Sequence, residues 1–142
     1  MQKENKDDAS SPDVPSTLSD SEVLYWLRTR NVDIAFLNQL KECSAATDDI
    51  IAGWLNISVR TLRNYRNPEN RIRENIKEQA LLLMSLFVHG NDVFGSAAKF
   101  NDWLNTENFY FDGHSPSTML HTVSGARFVN ERLHAMEYGD NV

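Results

Sequence analysis

The sequence predicts an all-α fold, with an N-terminal helix-turn-helix region followed by a smaller helical region. Apolar residues recur at helical spacing through most of the chain after residue 18, and capping residues precede these runs. No segment keeps the alternation of apolar and polar residues that is typical of a strand. With 142 residues, 41% of them hydrophobic, the chain can form one core, or two small helical modules that share a core.

The N-terminal half is predicted to hold a tail and four short helices. Residues 1–18 are rich in Ser, Asp, Lys and Pro and poor in large apolar groups, so we expect a disordered tail. The predicted helices are 21–30, 33–43 behind Asp33 as a cap, a short one that Thr47 caps and that ends at Asn56, and 58–66 behind Ser58. Asn56 is expected to take the left-handed conformation of a tight turn between the last two helices.

The C-terminal half is predicted to begin with a buried helix, 72–89, because apolar residues cover all its faces in its second half. Gly90 and Asn91 are expected to end that helix. The elements predicted to follow are a helix near 96–105, an aromatic loop over 106–114, a short helix from Ser115-Pro116 to about 121, and a last helix over 124–138 that ends at Gly139.

Charge is unevenly distributed along the chain. The net charge is −6, which argues against non-specific coating of nucleic acid. Positive side chains nevertheless concentrate in one short stretch, where only Glu69 and Glu74 oppose them. We call this stretch the basic island: Arg60, Arg63, Arg66, Arg71, Arg73 and Lys77. It is compatible with a DNA-facing module on an otherwise acidic protein.

Several classes of function are not expected. Cys43 is the single cysteine, which excludes an internal disulfide. The four histidines, His89, His114, His121 and His134, show no metal-ligand spacing, and no nucleophile stands on a strained turn beside a base. We therefore expect no enzyme activity, no cofactor and no metal. No apolar run is long enough for a membrane span or a secretory signal, so a cytoplasmic protein is expected.

Residues 48–66 have the layout of a helix-turn-helix that reads DNA. Val59, Leu62 and Tyr65 are spaced to face inward, which leaves the polar side chains between them facing outward. The outward residues are of groove-reading types, since Arg pairs with guanine and Asn with adenine. The predicted DNA contacts are Ser58, Arg60, Thr61, Arg63 and Asn64 at the groove, and Arg66, Arg71 and Arg73 mainly at phosphates. The alternative is a pair of capped helices whose arginines form a solvated face.

The chain also resembles the Xre/MbcA/ParS-type antitoxins. The run Leu55-Asn56-Ile57-Ser58-Val59-Arg60-Thr61-Leu62 is similar to the helix-turn-helix signature of that family. The downstream half is the stronger match, and its order and spacing are specific. The matching segments are Val93-Phe94-Gly95, Ala97-Ala98, Trp103-Leu104-Asn105-Thr106, Ser115-Pro116, Leu120, Thr122, Gly125-Ala126-Arg127 and Glu137-Tyr138-Gly139. The resemblance covers roughly residues 20–142.

The resemblance implies an antitoxin that pairs with a RES-domain toxin, an enzyme that consumes NAD or transfers its ADP-ribose. It implies that the C-terminal region covers the toxin's active site, while the N-terminal domain represses the shared operon by binding promoter DNA, as a homodimer. The implied domains are 19–71 for DNA and 72–142 for the toxin and dimerisation. The implied toxin contacts on the last helix and tail are Arg127, Glu131, Tyr138, Gly139, Asp140, Asn141 and Val142, because a short polar tail ending in a carboxylate suits a pocket for an anionic dinucleotide.

Two departures from the family pattern stand out. Asn56 occupies the position of the usual turn Gly, which the backbone tolerates. The loop at 109–114 is more aromatic than the usual pattern, so Phe109, Tyr110 and Phe111 are candidate toxin contacts. Alternatively, they cover the core beneath the loop. Two other functions stay open: an interaction protein without DNA binding, and a plain transcriptional regulator without a toxin.

Overall fold

The computed structural model of the protein describes residues 13–139, and within that range it contains helices and no strand. The predicted all-α class is therefore confirmed. The α-helices are α1 Asp20–Thr29, α2 Ile34–Ser44, α3 Asp48–Leu55, α4 Val59–Asn64, α5 Glu74–Phe94, α6 Ala97–Leu104 and α7 Val123–Glu137, and two 3-10 turns lie at Phe109–Phe111 and Pro116–Met119 between α6 and α7.

Helix α5 is longer than predicted. The expected stop at Gly90 and Asn91 is wrong, because α5 continues to Phe94 and ends at Gly95, whose φ is +89°. Gly90 has a packing role instead: a Cβ placed there would lie 2.2 Å from the ring of Phe100. Glycine at this position therefore lets α6, through Phe100, pack closely against α5.

The core is built around α5. It packs against α1, α2, α3, α6 and α7. Residues 79–87 of α5 are all buried, as the apolar residues on every face of the helix there predict, whereas its last turn is partly exposed. Buried side chains from both halves of the chain form one continuous cluster. Among residues 13–139 no single helix is long and apolar enough to cross a membrane, and the pair α5 and α6, bent by 107°, meets that test by length and composition alone.

The N-terminal segment corrects one expectation. Residues 1–12 lie outside the described residues, but residues 13–18, predicted as part of a disordered tail, form an extended strap along α5 and α7. Val14 and Leu18 are buried. Ser85 donates a 2.6 Å hydrogen bond to the carbonyl of Pro15, and Asn130 donates a 2.8 Å bond to that of Ser16. Two apolar residues among many polar ones are too few to predict an ordered segment from sequence. Burying each of them nevertheless stabilises the fold by about 1.5–3 kcal/mol.

Candidate functional site

Helices α3 and α4 form the predicted pair with a tight turn between them. Thr47 caps α3 by accepting a hydrogen bond from the backbone N–H of Ile50, and Ser58 caps α4 by accepting from that of Thr61. Asn56 sits at φ +60°, ψ +41°, in the left-handed conformation predicted for it. Ala52 is buried where the helices meet. These local features follow directly from short-range capping chemistry.

The turn is also fixed from outside. The side-chain amide of Asn56 donates a 2.7 Å hydrogen bond to the carbonyl of His121, just before α7. Gln79, buried on α5, donates a 2.7 Å bond to the neighbouring carbonyl of Leu120. The segment before α7 is therefore tied both to the α3–α4 turn and to the central helix, which fixes the orientation of α4 relative to the C-terminal region.

The predicted DNA contacts lie at the cap of α4, on α4 and on the loop that follows it. Most of them are exposed, and Thr61 is half-buried. The exposed members are Ser58, Arg60, Arg63, Asn64, Arg66, Arg71 and Arg73. Helix α4 itself is short, six residues, and ends at Asn64 rather than at the predicted residue 66. The carbonyl of Asn64 accepts a 2.8 Å bond from the side chain of Asn70, which turns the chain back toward α5.

Arg63 is engaged within the chain. Its Nε lies 3.3 Å from Asp48, and Lys41 Nζ lies 2.7 Å from the other carboxylate oxygen. The hydrogen bond from Lys41, assisted by that from Arg63, holds the pKa of Asp48 below its usual range against the opposing effect of burial. Sequence spacing did not reveal this triad, because its members come from α2, α3 and α4. It orients Arg63 at the N-terminal end of α3.

The aromatic loop divides into exposed and buried parts. Phe109 is 88% exposed, and Tyr110, 43% exposed, stacks under the guanidinium of Arg132 at 3.5 Å. Phe111 is 1% exposed and packs edge-on against Trp103 and Phe128. The prediction of Phe111 as a partner contact is therefore corrected: its side chain anchors the loop to the core, which leaves Phe109 and Tyr110 outside.

The predicted contacts on the last helix differ in their surroundings. Arg127 donates 2.7 Å and 2.9 Å hydrogen bonds to the carbonyl of Leu18 and the carboxylate of Asp20, so it holds the strap and α1 in place. Glu131 is exposed beside the strap. Tyr138 is 87% exposed, and Gly139 follows it at φ +98°. The predicted contacts Asp140, Asn141 and Val142 lie outside the described residues.

Tertiary structure also assembles a polar cluster that spacing missed. His89 on α5 meets His134 and Glu137 on α7, and one potential ligand atom from each lies within 4.8 Å of the others. His89 Nε2 is 2.6 Å from Glu137 Oε1, and the two imidazole rings are 4.0 Å apart. Burial, and secondarily the neighbouring His89, lower the pKa of His134. The i, i+3 pair His134 and Glu137 was visible in the sequence, but its buried partner is 45 positions away.

Comparison with known families addresses the C-terminal half. Residues 89–139 match the model of the antitoxin Xre/MbcA/ParS C-terminal toxin-binding domain. The chain therefore carries an Xre/MbcA/ParS-type toxin-binding domain over these residues. This domain runs from the last turns of α5 through α7, and so includes the aromatic loop and the His89 cluster. No curated protein matches the chain.

Proposed function

We propose that this protein is an antitoxin that neutralises a RES-domain toxin by covering its active site with the C-terminal region, and that it represses its own operon by binding promoter DNA as a homodimer in the cytoplasm. The observation that carries the toxin-binding part is the family match over residues 89–139. We assign the antitoxin no catalytic role. The domain division at residue 71 or 72 belongs to the same proposal.

The proposed toxin-facing surface combines the exposed aromatic side chains of this domain. Phe109 and Tyr110 project from the loop that Phe111 anchors, and Tyr138 projects from the end of α7. Aromatic side chains supply large contact areas at low entropic cost and dominate binding energy at interfaces. We place the toxin contacts on these three residues, on Glu131 and on the tail from Gly139 onward.

Neutralisation is tested with the toxin encoded beside the antitoxin gene. Its expression alone should stop growth, and co-expression of this chain should restore it. Tyr138→Ala should weaken binding of the purified toxin by about 1–3 kcal/mol, or about 5- to 150-fold in Kd. Tyr25→Ala is the matched control, since Tyr25 is 63% exposed on α1, outside the matched domain. Equal loss in both variants would refute the placement, and a neighbouring product that lacks toxicity would refute the antitoxin–RES pairing.

The proposed DNA interface rests on the exposed arginines of the basic island beside the capped α4, whereas Lys77 is half-buried and paired with Glu74. Its cations lie on a protein of net charge −6, so they form a local positive surface rather than a general one. Such a surface favours phosphates, while Arg60, at the start of α4, has the side-chain type that recognises guanine. Promoter DNA is therefore the proposed ligand of this surface.

Electrophoretic shifts on the DNA upstream of the gene test this interface. Arg60→Ala should weaken binding by about 1–3 kcal/mol, whereas Arg66→Ala should lower the salt slope by about 1 across sequences. Arg28→Ala, which removes an exposed arginine from α1, is the control and should leave binding unchanged. Binding that persists in Arg60→Ala and Arg66→Ala would refute the interface.

The second candidate is an antitoxin that binds the toxin without binding DNA. Two observations favour it: the family match begins only at residue 89, and Arg63 is already paired with Asp48. Under this alternative the wild-type chain rescues growth, yet it shifts no upstream DNA even at low salt.

A further inference from the structure

Among the described residues, the polar contacts of His89 are the strongest that neither the proposed toxin surface nor the proposed DNA surface explains. This histidine is 3% exposed, and each ring nitrogen lies against an oxygen atom. Nδ1 is 2.5 Å from Asn130 Oδ1, and Nε2 is 2.6 Å from Glu137 Oε1. A neutral imidazole carries one N–H, so it can satisfy only one of these two contacts.

The proton on Nδ1 is assigned by the neighbouring amide. Asn130 uses its Nδ2 to donate a 2.8 Å hydrogen bond to the carbonyl of Ser16, which leaves Oδ1 pointing at His89. Because Oδ1 can only accept, His89 Nδ1–H must donate to it. The lone pair of Nε2 then faces a carboxylate oxygen at 2.6 Å, and two lone pairs at that distance require a positive centre.

His134 completes the cluster on the same side of Glu137. Its Nδ1 is 3.6 Å from Glu137 Oε1, while its Nε2 is 2.6 Å from the hydroxyl oxygen of Thr17 on the strap. If Nε2–H donates to Thr17, Nδ1 presents a second lone pair to the same point. One added proton could bridge Glu137 to only one of the two imidazoles, whereas a metal ion could bind both imidazole nitrogens and the carboxylate.

We propose that His89 Nε2, His134 Nδ1 and Glu137 Oε1 bind one Zn²⁺ ion, with water in the fourth position. Two imidazole nitrogens and one carboxylate oxygen are a ligand set that zinc accepts. Tetrahedral bonds of about 2.0–2.1 Å separate neighbouring ligand atoms by about 3.3 Å. Glu137 Oε1 lies 2.6 Å from His89 Nε2 and 3.6 Å from His134 Nδ1, on either side of that value. All three atoms lie within 4.8 Å of one another.

The surroundings match those of zinc-bound histidines. In such sites the outer ring nitrogen of each histidine donates to an oxygen that fixes the ring. Here Asn130 Oδ1 takes that role for His89 and Thr17 Oγ1 for His134. Side-chain exposures of 30% for His134 and 35% for Glu137 leave one side open to ion and water. The ion would join α5 to α7 and, through Thr17, fasten the strap.

Titration calorimetry of the full chain with ZnCl₂, after chelator treatment, tests the proposal. We expect one ion per chain, with a Kd below about 10 µM. At an excess of 100-fold over Kd the ion should raise the thermal midpoint of the wild type by about 10 °C. Absence of one-site binding in this range overturns the proposal without bearing on toxin or DNA binding.

Variants locate the ion. His134→Gln and Glu137→Gln should each weaken zinc binding at least about 10-fold and abolish the thermal shift, and Thr17→Val should weaken it about 10-fold through the outer oxygen. The control is His114→Gln combined with His121→Gln, which removes two exposed histidines outside the cluster. Loss of binding in the control, or its retention in both His134→Gln and Glu137→Gln, overturns the assignment. Since His89 is buried, absorption of Co²⁺ bound to the wild type checks the nitrogen ligands without altering that residue.

Discussion

Gly90 offers the sharpest test of how the toxin-binding domain is packed. In Gly90→Ala, the new Cβ would lie 2.2 Å from Cε2 and Cζ of Phe100 and 2.4 Å from Cδ2. Ordinary carbon contacts begin near 3.5 Å, so the ring would have to move by more than 1 Å. Phe100 has no exposed surface, and its ring is packed against those of Phe87, Phe94 and Trp103.

Two opposing effects set the magnitude for Gly90→Ala. Alanine in a helix interior is favoured over glycine by about 1 kcal/mol. Overpacking a dense core costs about 1–3 kcal/mol, and a displaced, fully enclosed ring belongs at the upper end of that range. We therefore expect the free energy of unfolding to fall by about 2 kcal/mol, which is about a 30-fold change in the folding equilibrium and about 6 °C in Tm.

Urea denaturation of the purified chain measures this change. Gly53→Ala is the matched control, because Gly53 lies in α3 and nothing stands within 4 Å of its added Cβ. The free energy of unfolding of Gly53→Ala should rise by up to about 1 kcal/mol. In a Phe100→Leu background the penalty of Gly90→Ala should shrink, since a smaller side chain leaves room for the methyl group. If Gly90→Ala stabilises the chain as much as Gly53→Ala does, the packing argument is refuted.

Three further predictions concern local contacts. Gly125→Ala would place a Cβ 1.8 Å from the backbone oxygen of Met119. It should therefore lower the free energy of unfolding, measured in urea, by more than about 2 kcal/mol, and an unchanged urea midpoint would contradict this. Ser58→Ala removes the cap of α4 and should lower the free energy of unfolding by about 1 kcal/mol, whereas Ser58→Asp should keep most of the capping stabilisation. Because the folded pKa of Asp48 is lowered, its contribution is complete above the ordinary aspartate value and is lost as the pH falls below about 4, so Asp48→Asn should flatten the acid side of a stability profile.

The sequence predicted the helices well because their signals are local. Thr47 and Ser58 act on backbone groups three residues away, and Asn56 needs only its own tolerance of a left-handed backbone. The order of motifs in the second half likewise identified the toxin-binding domain that the family match confirms. The contacts with DNA and toxin stay predictions.

Other features required tertiary contacts. Phe109 and Phe111 are two residues apart in one aromatic run, yet one is 88% exposed and the other 1%. Only the position of Trp103 and Phe128 decides which of them is buried. Gly90 was interpreted as a helix end because glycine commonly ends helices, but here its missing side chain makes room for Phe100.

The sequence by itself determined where each helix starts to within two residues, how the α3–α4 turn is made and which family the second half resembles. Tertiary structure alone decided that residues 13–18 pack as a strap and that His89, His134 and Glu137 meet. The physical reason is distance along the chain: a cap bonds to a backbone group three residues away, whereas Thr17 and His134 are separated by 117 positions. Such a pair is brought together only because the strap and α7 pack on the same side of α5, and the apolar pattern of α5 predicts its burial but not which segments cover it.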